Sequence, residues 1–143
     1  MHTNYVVIDS NFLLLPFQFK IDYLDEITQN LEGKTEFLIY KQILDELEAK
    51  RKRDAKKTKF RKDLKGGLLY LDNFKDKFNI NFNNSIKKDF ETTDDFLLRK
   101  CIDLKLKSKH IFIATNDSEL RKKAKNSGIN VIFMRQKKLL CFE

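Results

Sequence analysis

The sequence predicts an α/β fold, in which parallel strands are joined by crossover helices. Short apolar runs alternate along the chain with longer stretches of helical period, and this alternation is typical of that fold class. Asp9 ends one of the apolar runs, and Asp117 lies two residues past another. Because ligands bind at the carboxyl ends of the strands in open α/β sheets, both aspartates are candidate site residues.

Five apolar runs are predicted as strands, because each is short and rich in β-branched or aromatic residues. They cover residues 5–9, 36–40, 78–82, 111–115 and 130–133, and the run at 78–82 gives the weakest signal. The 143 residues are predicted to form a single domain, 1–143. A domain of this length buries roughly 70% of the surface that its unfolded chain exposes.

Helical periodicity predicts five helices between the strands. They cover 22–31, a stretch that starts near residue 41, and then 59–78, 92–106 and 118–126. Gly33 and Gly128 follow the first and last of them as stop signals, and the third is predicted to run through Gly66 and Gly67, although this pair is a candidate break. Thr92 is a good amino-terminal cap for the fourth.

The charge of the chain favours a polyanionic partner. The 29 Lys and Arg residues exceed the 21 Asp and Glu residues and give a net charge of +8, so nucleic acid is the first candidate. A membrane surface is less favoured, because the most basic segment, 50–65, carries few large apolar residues. With neither a membrane span nor a secretory signal, we expect a cytoplasmic protein with Cys101 and Cys141 reduced.

Composition excludes histidine-based chemistry and nucleotide-binding loops. His2 and His110 are the only histidines in the sequence, and neither is placed for a catalytic triad or a zinc site. The chain also lacks a glycine-rich phosphate loop. Carboxylates remain, and hard divalent ions such as Mg²⁺ take oxygen ligands. A basic protein with a metal-filled acidic pocket is a candidate nuclease, because bound ions would meet the scissile phosphate.

The helix that starts near residue 41 carries several acids, which a helical wheel sorts only in part. Ile43, Leu44 and Leu47 define its buried stripe, and Asp45 points almost opposite to that stripe. Glu46 and Glu48 flank it on either side. Periodicity therefore rejects Asp45 and leaves both glutamates as candidates.

Two acids, Asp94 and Asp95, open the helix that Thr92 caps. Negative charge in a first turn is favourable to the helix dipole, so capping alone is a complete explanation for the pair. Metal binding is the alternative explanation, since clustered acids also mark functional sites.

Together these motifs resemble the PIN-domain endoribonucleases over nearly the whole chain. Residues 6–11, Val-Val-Ile-Asp-Ser-Asn, resemble that family's opening strand and its Asp-x-Asn turn. Residues 43–48 resemble its second acidic motif, and this likeness singles out Glu46. Residues 92–98 and 114–120 resemble the third and fourth motifs, in the same order and the same strand or helix context.

The resemblance implies a three-layer α/β/α fold with a central, mainly parallel sheet, and a Mg²⁺- or Mn²⁺-dependent site that cuts single-stranded RNA. It implies that the catalytic, metal-binding acids are Asp9, Glu46, Asp95 and Asp117. It further implies that ligands or water are oriented by Asn11, Thr115 and Asn116. A regular helical wheel turns Asp94 closer to the apolar face than Asp95, whereas the family motif favours Asp95. We follow the motif, because the geometry of a first turn varies, and keep Asp94 as the substitute.

Segment 50–65 is predicted to contact RNA phosphates. It holds ten Lys or Arg residues in sixteen and only Phe60 and Leu64 as large apolar residues, which favours backbone contact over base stacking. The predicted RNA-binding side chains are Arg51, Lys52, Arg53, Lys56, Lys57, Lys59, Arg61 and Lys62. The alternative is a solvated basic face with no specific partner.

The leading functional hypothesis is an endoribonuclease in ribosomal or other RNA processing, since the fourth motif and the adjoining Asp-Asp look more like archaeal and eukaryotic members of that kind. A VapC-type toxin with an antitoxin partner shares the chemistry, and a non-catalytic RNA-binding assembly protein is the third hypothesis. A ribosome-assembly partner would suit the first and third. The many aromatics also leave a homodimer open, because apolar side chains in excess of one core often line an interface.

Overall fold

A computed structural model describes residues 2–54 and 56–143. In these residues a six-stranded sheet lies between helices, which confirms the predicted three-layer α/β/α class. The strands are β1 (Thr3–Ile8), β2 (Lys34–Tyr40), β3 (Asn79–Asn83), β4 (Ile111–Ala114), β5 (Asn130–Arg135) and β6 (Leu139–Phe142). The helices are α1 (Ser10–Leu13), α2 (Leu15–Gln18), α3 (Tyr23–Asn30), α4 (Lys41–Arg53), α5 (Thr58–Phe74), α6 (Thr93–Lys105) and α7 (Ser118–Asn126).

The strand order is β3-β2-β1-β4-β5-β6, with the first five strands parallel and β6 antiparallel to β5. β1 lies at the centre, where Val7 pairs with Leu38 on one side and Ile113 on the other. The chain builds the sheet outward from β1 through β2 and β3, and then starts again on the other side with β4. The point where this order reverses lies between β1 and β4, and it is the position where doubly wound folds bind ligands.

All five predicted strands are present, including the weakest, which forms the edge strand β3. The short helices α1 and α2 and the strand β6 are not in the sequence prediction. The hairpin that creates β6 turns through Gln136 and Lys137, which both have positive φ. Glycine or asparagine normally fills such positions, so the sequence carries no signal for this turn.

The third predicted helix is present as α5, which runs through Gly66 and Gly67, so the candidate break there does not occur. Their role is close packing. A Cβ at Gly67 would lie 1.8 Å from the carbonyl oxygen of Leu13, so only glycine lets α5 approach the backbone of α1 this closely. α1 follows directly on β1, and α5 therefore holds in place the chain that leaves the carboxyl end of β1.

The core is formed by the central strands and the helix faces that cover them. Val6, Val7 and Ile8 of β1 are fully buried, as expected for a strand covered on both faces. Both cysteines are free thiols, in agreement with the expectation, and Cys101 lies in the core. Within residues 2–54 and 56–143, no helix combines the length and the apolar composition needed to cross a membrane.

Gly67→Ala should destabilise the protein by about 2 kcal/mol or more, because overpacking against backbone outweighs the roughly 1 kcal/mol that alanine gains over glycine inside a helix. Urea denaturation of the variant measures this change. Leu69→Ala, at an exposed position of the same helix, is the matched control and should shift stability by no more than about 0.5 kcal/mol. A Gly67→Ala protein as stable as the wild type would contradict the close packing of α5 on α1.

Candidate active site

Asp9 occupies the reversal point of the sheet, one residue past the end of β1, and is almost completely buried. Its backbone N–H donates to the carbonyl of Ala114 at 3.0 Å, which joins the ends of β1 and β4. Its side chain accepts hydrogen bonds from the Ser10 backbone N–H at 2.7 Å, the Thr115 hydroxyl at 2.6 Å and the Asn11 side-chain amide at 3.1 Å. A buried carboxylate is thus fixed in one orientation by its neighbours.

The three residues predicted to support the site hold the loop ends together. Asn11 Oδ1 accepts the backbone N–H of Asn116 at 3.0 Å, and the Thr115 hydroxyl accepts the backbone N–H of Asp117 at 3.1 Å. The side chain of Asn116 binds β5 and not Asp9, because its Oδ1 accepts the backbone N–H of Met134 at 2.8 Å. Thr115 and Asn11 therefore contact Asp9 directly, whereas Asn116 fixes the turn between β4 and α7 against β5.

Asp117 caps α7, with Oδ1 accepting the backbone N–H of Leu120 at 3.0 Å. Capping alone would explain an aspartate here. Its carboxylate, however, also lines the same cavity as Asp9, and the two negative charges interact. The structure thus brings together the two strand-end aspartates on which the sequence prediction depends.

Glu46, on α4, lines the same cavity. Thr93 donates its hydroxyl to Glu46 Oε1 at 2.5 Å, and Lys87 Nζ lies 3.7 Å from the same oxygen. Glu48, which the wheel left open, forms an ion pair with Arg51 instead and does not line this cavity. Asp45 is exposed and pairs with Lys41.

The two acids at the start of α6 have different surroundings. Asp94 lines the cavity with Asp9, Glu46 and Asp117, whereas Asp95 does not line it. Asp95 lies 3.6 Å from Lys123 Nζ on α7, and its side chain is about half exposed (54%). The sequence prediction placed Asp95 in the acidic set and kept Asp94 as its substitute. In the structure Asp94 is the one that lines the cavity, as the regular helical wheel indicates.

The cavity formed in this way has a volume of about 410 Å³, four carboxylates and a basic rim. Burial raises the pKa of Asp9, and the charge of Asp117 raises it further, against the lowering effect of the hydrogen bonds from Thr115 and Ser10. Burial likewise raises the pKa of Asp94, with added contributions from Asp117 and Asp9. The acids therefore repel one another, and a cation among them would relieve that repulsion.

The chemistry of the donor set fits a hard divalent ion that keeps part of its water shell. Among the described residues, no three acidic, histidine or cysteine side chains are gathered closely enough to enclose one ion by themselves. Mg²⁺ does not require such a cage in proteins, because it is usually held by one or two carboxylates, waters and substrate phosphates. An open cavity of 410 Å³ leaves space for those other ligands.

Lys50 and Arg53, near the end of α4, form the basic rim of the acidic cavity. Lys50 also lies over the ring of Phe60 at 4.5 Å and lines an adjoining cavity of about 510 Å³ together with Lys56, Lys57 and Lys59. Arg53, Lys56, Lys57 and Lys59 all belong to the predicted RNA-binding set. Lys50 thus lines both the acidic cavity and the lysine-lined cavity beside it.

The other members of the predicted RNA-binding set lie elsewhere on α4 and α5. Arg51 and Arg61 line a separate cavity beside Glu48, Lys62 lines an apolar one beside Phe17, and Lys52 is exposed on the last turn of α4. Within the predicted set, Lys57 pairs with Asp54 and Lys59 pairs with the buried Asp63. Segment 50–65 includes Ala55, which lies outside the described residues.

Lys50 and Thr93 contact or line the site but are not among the predicted site residues. The spacing could have found Lys50, because residues four apart on a helix share a face and Lys50 follows Glu46 by four. Thr93 carries no comparable signal, since its contact with Glu46 depends on how α6 packs against α4.

An apolar cavity of about 450 Å³ beside Pro16, Phe17 and Tyr70 is somewhat larger than the acidic one. Its lining is mostly carbon and includes no acidic side chain. The carboxylates therefore converge in the acidic cavity at the sheet reversal and not in this apolar cavity.

Comparison with known proteins agrees with this geometry. Residues 6–137 match the PIN-like domain family. The chain is 30% identical over 136 residues to Ribonuclease VapC4 of Methanocaldococcus jannaschii, covering 93% of this chain and 92% of that protein.

Two solved structures share the fold. One is the PIN domain endonuclease Utp24, with a TM-score of 0.65 and 24% identity over 97% of this chain and 90% of that one. The other is a domain of a functionally unknown protein from Methanocaldococcus jannaschii, with a TM-score of 0.60 and 12% identity over 92% and 91% of the two chains. Because the family match spans most of its length, this chain belongs to the PIN-like domain family, as the resemblance of its motifs predicts.

Proposed function

We propose that the protein is a metal-dependent endoribonuclease that hydrolyses phosphodiester bonds of single-stranded RNA. The observation that carries this proposal is the convergence of Asp9, Glu46, Asp94 and Asp117 on one cavity at the sheet reversal, with Lys50 and Arg53 on its rim. The 30% identity to a protein named a ribonuclease supports the same activity. A basic rim beside an acidic cavity suits a substrate whose phosphates meet cations.

The proposed ligands of Mg²⁺ or Mn²⁺ are drawn from these four carboxylates, and waters and the substrate phosphate complete the coordination. When bound, the ion supplies charge neutralisation and Lewis acidity toward phosphate oxygens. Asp9 is held for this purpose by Thr115 and Asn11, and because three hydrogen bonds fix its carboxylate, no reorganisation is needed on binding. Lys50 and Arg53 bind the RNA backbone and bring a phosphate over the acids.

We propose that Asp94, and not Asp95, is the α6 member of the metal-binding acids, and that Asp95 lies beside the site without binding the ion. Burial and the charges of Asp117 and Asp9 both act on Asp94, which supports its membership of the acidic set. Asp95 faces Lys123 across α6 and α7, an exposed ion pair that contributes at most about 1 kcal/mol to stability.

The biological role we favour is processing of ribosomal or other RNA. The alternative is a VapC-type ribonuclease with an antitoxin partner, and the likeness to Ribonuclease VapC4 over 93% of the chain favours that alternative. Growth arrest on expression, relieved by a protein encoded beside the gene, would decide for the alternative. A non-catalytic assembly protein is disfavoured, because such a protein would have no reason to keep mutually repelling carboxylates.

Asp94→Asn should lower cleavage of a single-stranded RNA in Mn²⁺ by about a hundredfold or more, since it removes charge at the reacting centre. Asp95→Asn is the matched control, one residue away on the same helix, and should change cleavage no more than a few fold. Gel analysis of cleavage products, with and without EDTA, measures both. A larger loss for Asp95→Asn than for Asp94→Asn would reverse the assignment, and full wild-type activity in EDTA would refute metal dependence.

Replacing Lys50, Arg53 and Lys56 together with Gln should weaken binding of single-stranded RNA and reduce the salt dependence of log K by about 0.7 per lost phosphate contact. Fluorescence anisotropy at several salt concentrations gives the slope. The control replaces Lys34, Lys107 and Lys109 with Gln, because these exposed lysines flank the amino ends of β2 and β4, at the opposite edge of the sheet. If the two triple variants had equal slopes of log K against log salt concentration, RNA binding would depend on net charge alone and not on the position of these lysines and arginine.

Asp117→Asn should leave the metal-free protein as stable as the wild type or more stable, by about 1 kcal/mol, because asparagine still caps α7 while one of the repelling charges is gone. Adding Mn²⁺ should raise the melting temperature of the wild type more than that of the variant, since a ligand stabilises in proportion to its binding to the native state. Asp45→Asn, at the exposed acid on α4, should match the wild type in both respects. Equal metal responses in all three proteins would argue against a shared acidic site.

A further inference from the structure

The chain between β3 and α6 is attached at two points to the acidic cavity. Lys87 Nζ lies 3.7 Å from Glu46 Oε1, and the Thr93 hydroxyl donates to the same oxygen. The backbone N–H of Lys87 also donates to Gln42 Oε1 at 3.3 Å, one turn back along α4. Phe90 lies midway between the two attachment points. Since three residues of chain span at most about 11 Å, the Phe90 Cα lies within that distance of the Cα atoms of both Lys87 and Thr93.

Phe90 is held on a rigid turn formed by residues 88–91. The Glu91 backbone N–H donates to the carbonyl of Lys88 at 3.1 Å, and the Lys88 N–H donates to Glu91 Oε1 at 2.9 Å. Arg99 on α6 donates two hydrogen bonds to the Glu91 carboxylate, at 2.8 and 2.9 Å, and lowers the pKa of Glu91 to about 2. Bidentate pairs of this kind fix geometry as well as contributing energy.

The Phe90 ring is completely exposed, and its backbone is strained. Its φ of 65° falls at the turn position where glycine or asparagine is usual. Phe90 takes part in none of the ring-stacking or cation–π contacts found among residues 2–54 and 56–143. A bulky residue in this conformation neither packs into the core nor relaxes, and such strain persists mainly at functional sites.

We propose that Phe90 is a stacking platform for a base of single-stranded RNA, on the chain segment whose two ends contact Glu46 of the acidic cavity. The inference rests on the proposed ribonuclease function and adds a base-binding position to it. Every base has a π face, so an exposed aromatic ring on a fixed turn binds single strands with little sequence preference. Lys88, the first residue of the turn, supplies positive charge for the adjoining backbone.

A nucleic-acid base suits this ring better than a protein surface does. Charged residues surround Phe90 in the sequence, with Lys88 and Asp89 before it and Glu91 after it. Phe82 and Ile86 are also exposed on this stretch. Four of the five residues 87–91 are nevertheless charged, and the buried core of a protein interface is depleted in charged residues. Stacking requires only the face of the ring and a backbone that does not move.

The test compares binding of an oligoadenylate with binding of an abasic ribose-phosphate chain of the same length, by anisotropy in EDTA so that nothing is cut. The wild type should bind the oligoadenylate more tightly, and Phe90→Leu should lose about 5-fold to 150-fold of that preference, the range for one stacked base. Phe90→Trp should retain it. Leu106→Ala, which removes an equally isolated exposed side chain just past the other end of α6, should also retain it.

Phe90→Gly separates loss of binding from loss of folding. Glycine accepts the positive φ without strain, so this variant should melt no lower than the wild type while binding the oligoadenylate as weakly as Phe90→Leu. An unchanged preference in Phe90→Leu, with RNA cleavage by the wild type intact, would overturn the stacking site and leave the nuclease proposal standing. A change in sedimentation of Phe90→Leu without a change in RNA binding would assign the ring to protein contact. Absence of both cleavage and RNA binding in the wild type would overturn both proposals.

Discussion

The hydrogen bond from the Thr115 hydroxyl to the buried carboxylate of Asp9 is the contact on which the site depends. It crosses the point where the strand order reverses, so it joins two loops that are more than a hundred residues apart in the chain. Parallel strands bring their carboxyl ends to one edge, and the reversal leaves a crevice there because β2 and β4 lead away on opposite sides. Asp9 is costly to bury in such a crevice unless it is hydrogen-bonded, and Thr115, Ser10 and Asn11 satisfy that requirement. The fold thereby fixes one acid rigidly, and the others are arranged around it.

An acidic cavity in a protein of net charge +8 creates two opposed electrostatic requirements. Asp9, Asp94 and Asp117 raise one another's free energy when ionised, and burial adds to that effect, so the metal-free fold is destabilised at the acidic cavity. Lys87 and Lys123 lie beside Glu46 and Asp95, whereas Lys50 and Arg53 line the cavity without an acidic partner among residues 2–54 and 56–143. Under the proposed function, Lys50 and Arg53 would attract a polyanion to a site that would otherwise repel it.

Features encoded by periodicity and capping could be predicted from the sequence, and features that depend on packing could not. The central strands, the Thr92 cap and the position of Asp117 follow from local patterns. Strand β6 was missed because its hairpin forces Gln136 and Lys137 into positive φ without glycine, a strain that only tertiary contacts can sustain. The continuity of α5 through Gly66 and Gly67 has a related cause, since Gly67 serves a close contact between α5 and α1 that no local rule contains. For the acids of α6, helical geometry orients the side chains and places Asp94 in the cavity, although the motif comparison favoured Asp95.

Helix α4 links binding and chemistry through a single polar face. Gln42, Glu46, Lys50 and Arg53 follow one another at spacings of four, four and three, so they lie along one side of the helix, next to the buried Ile43 and Leu47. Gln42 fixes the chain that leads to Phe90, Glu46 contributes a carboxylate and contacts Thr93, and Lys50 and Arg53 line the same cavity. A rotation of α4 would move all four together, because the apolar stripe beside them is anchored in the core. The packing of Ile43 and Leu47 therefore determines how the proposed base contact, the acids and the proposed phosphate contacts stand relative to one another, and a core substitution there would disturb all three without altering any of the proposed RNA-binding groups.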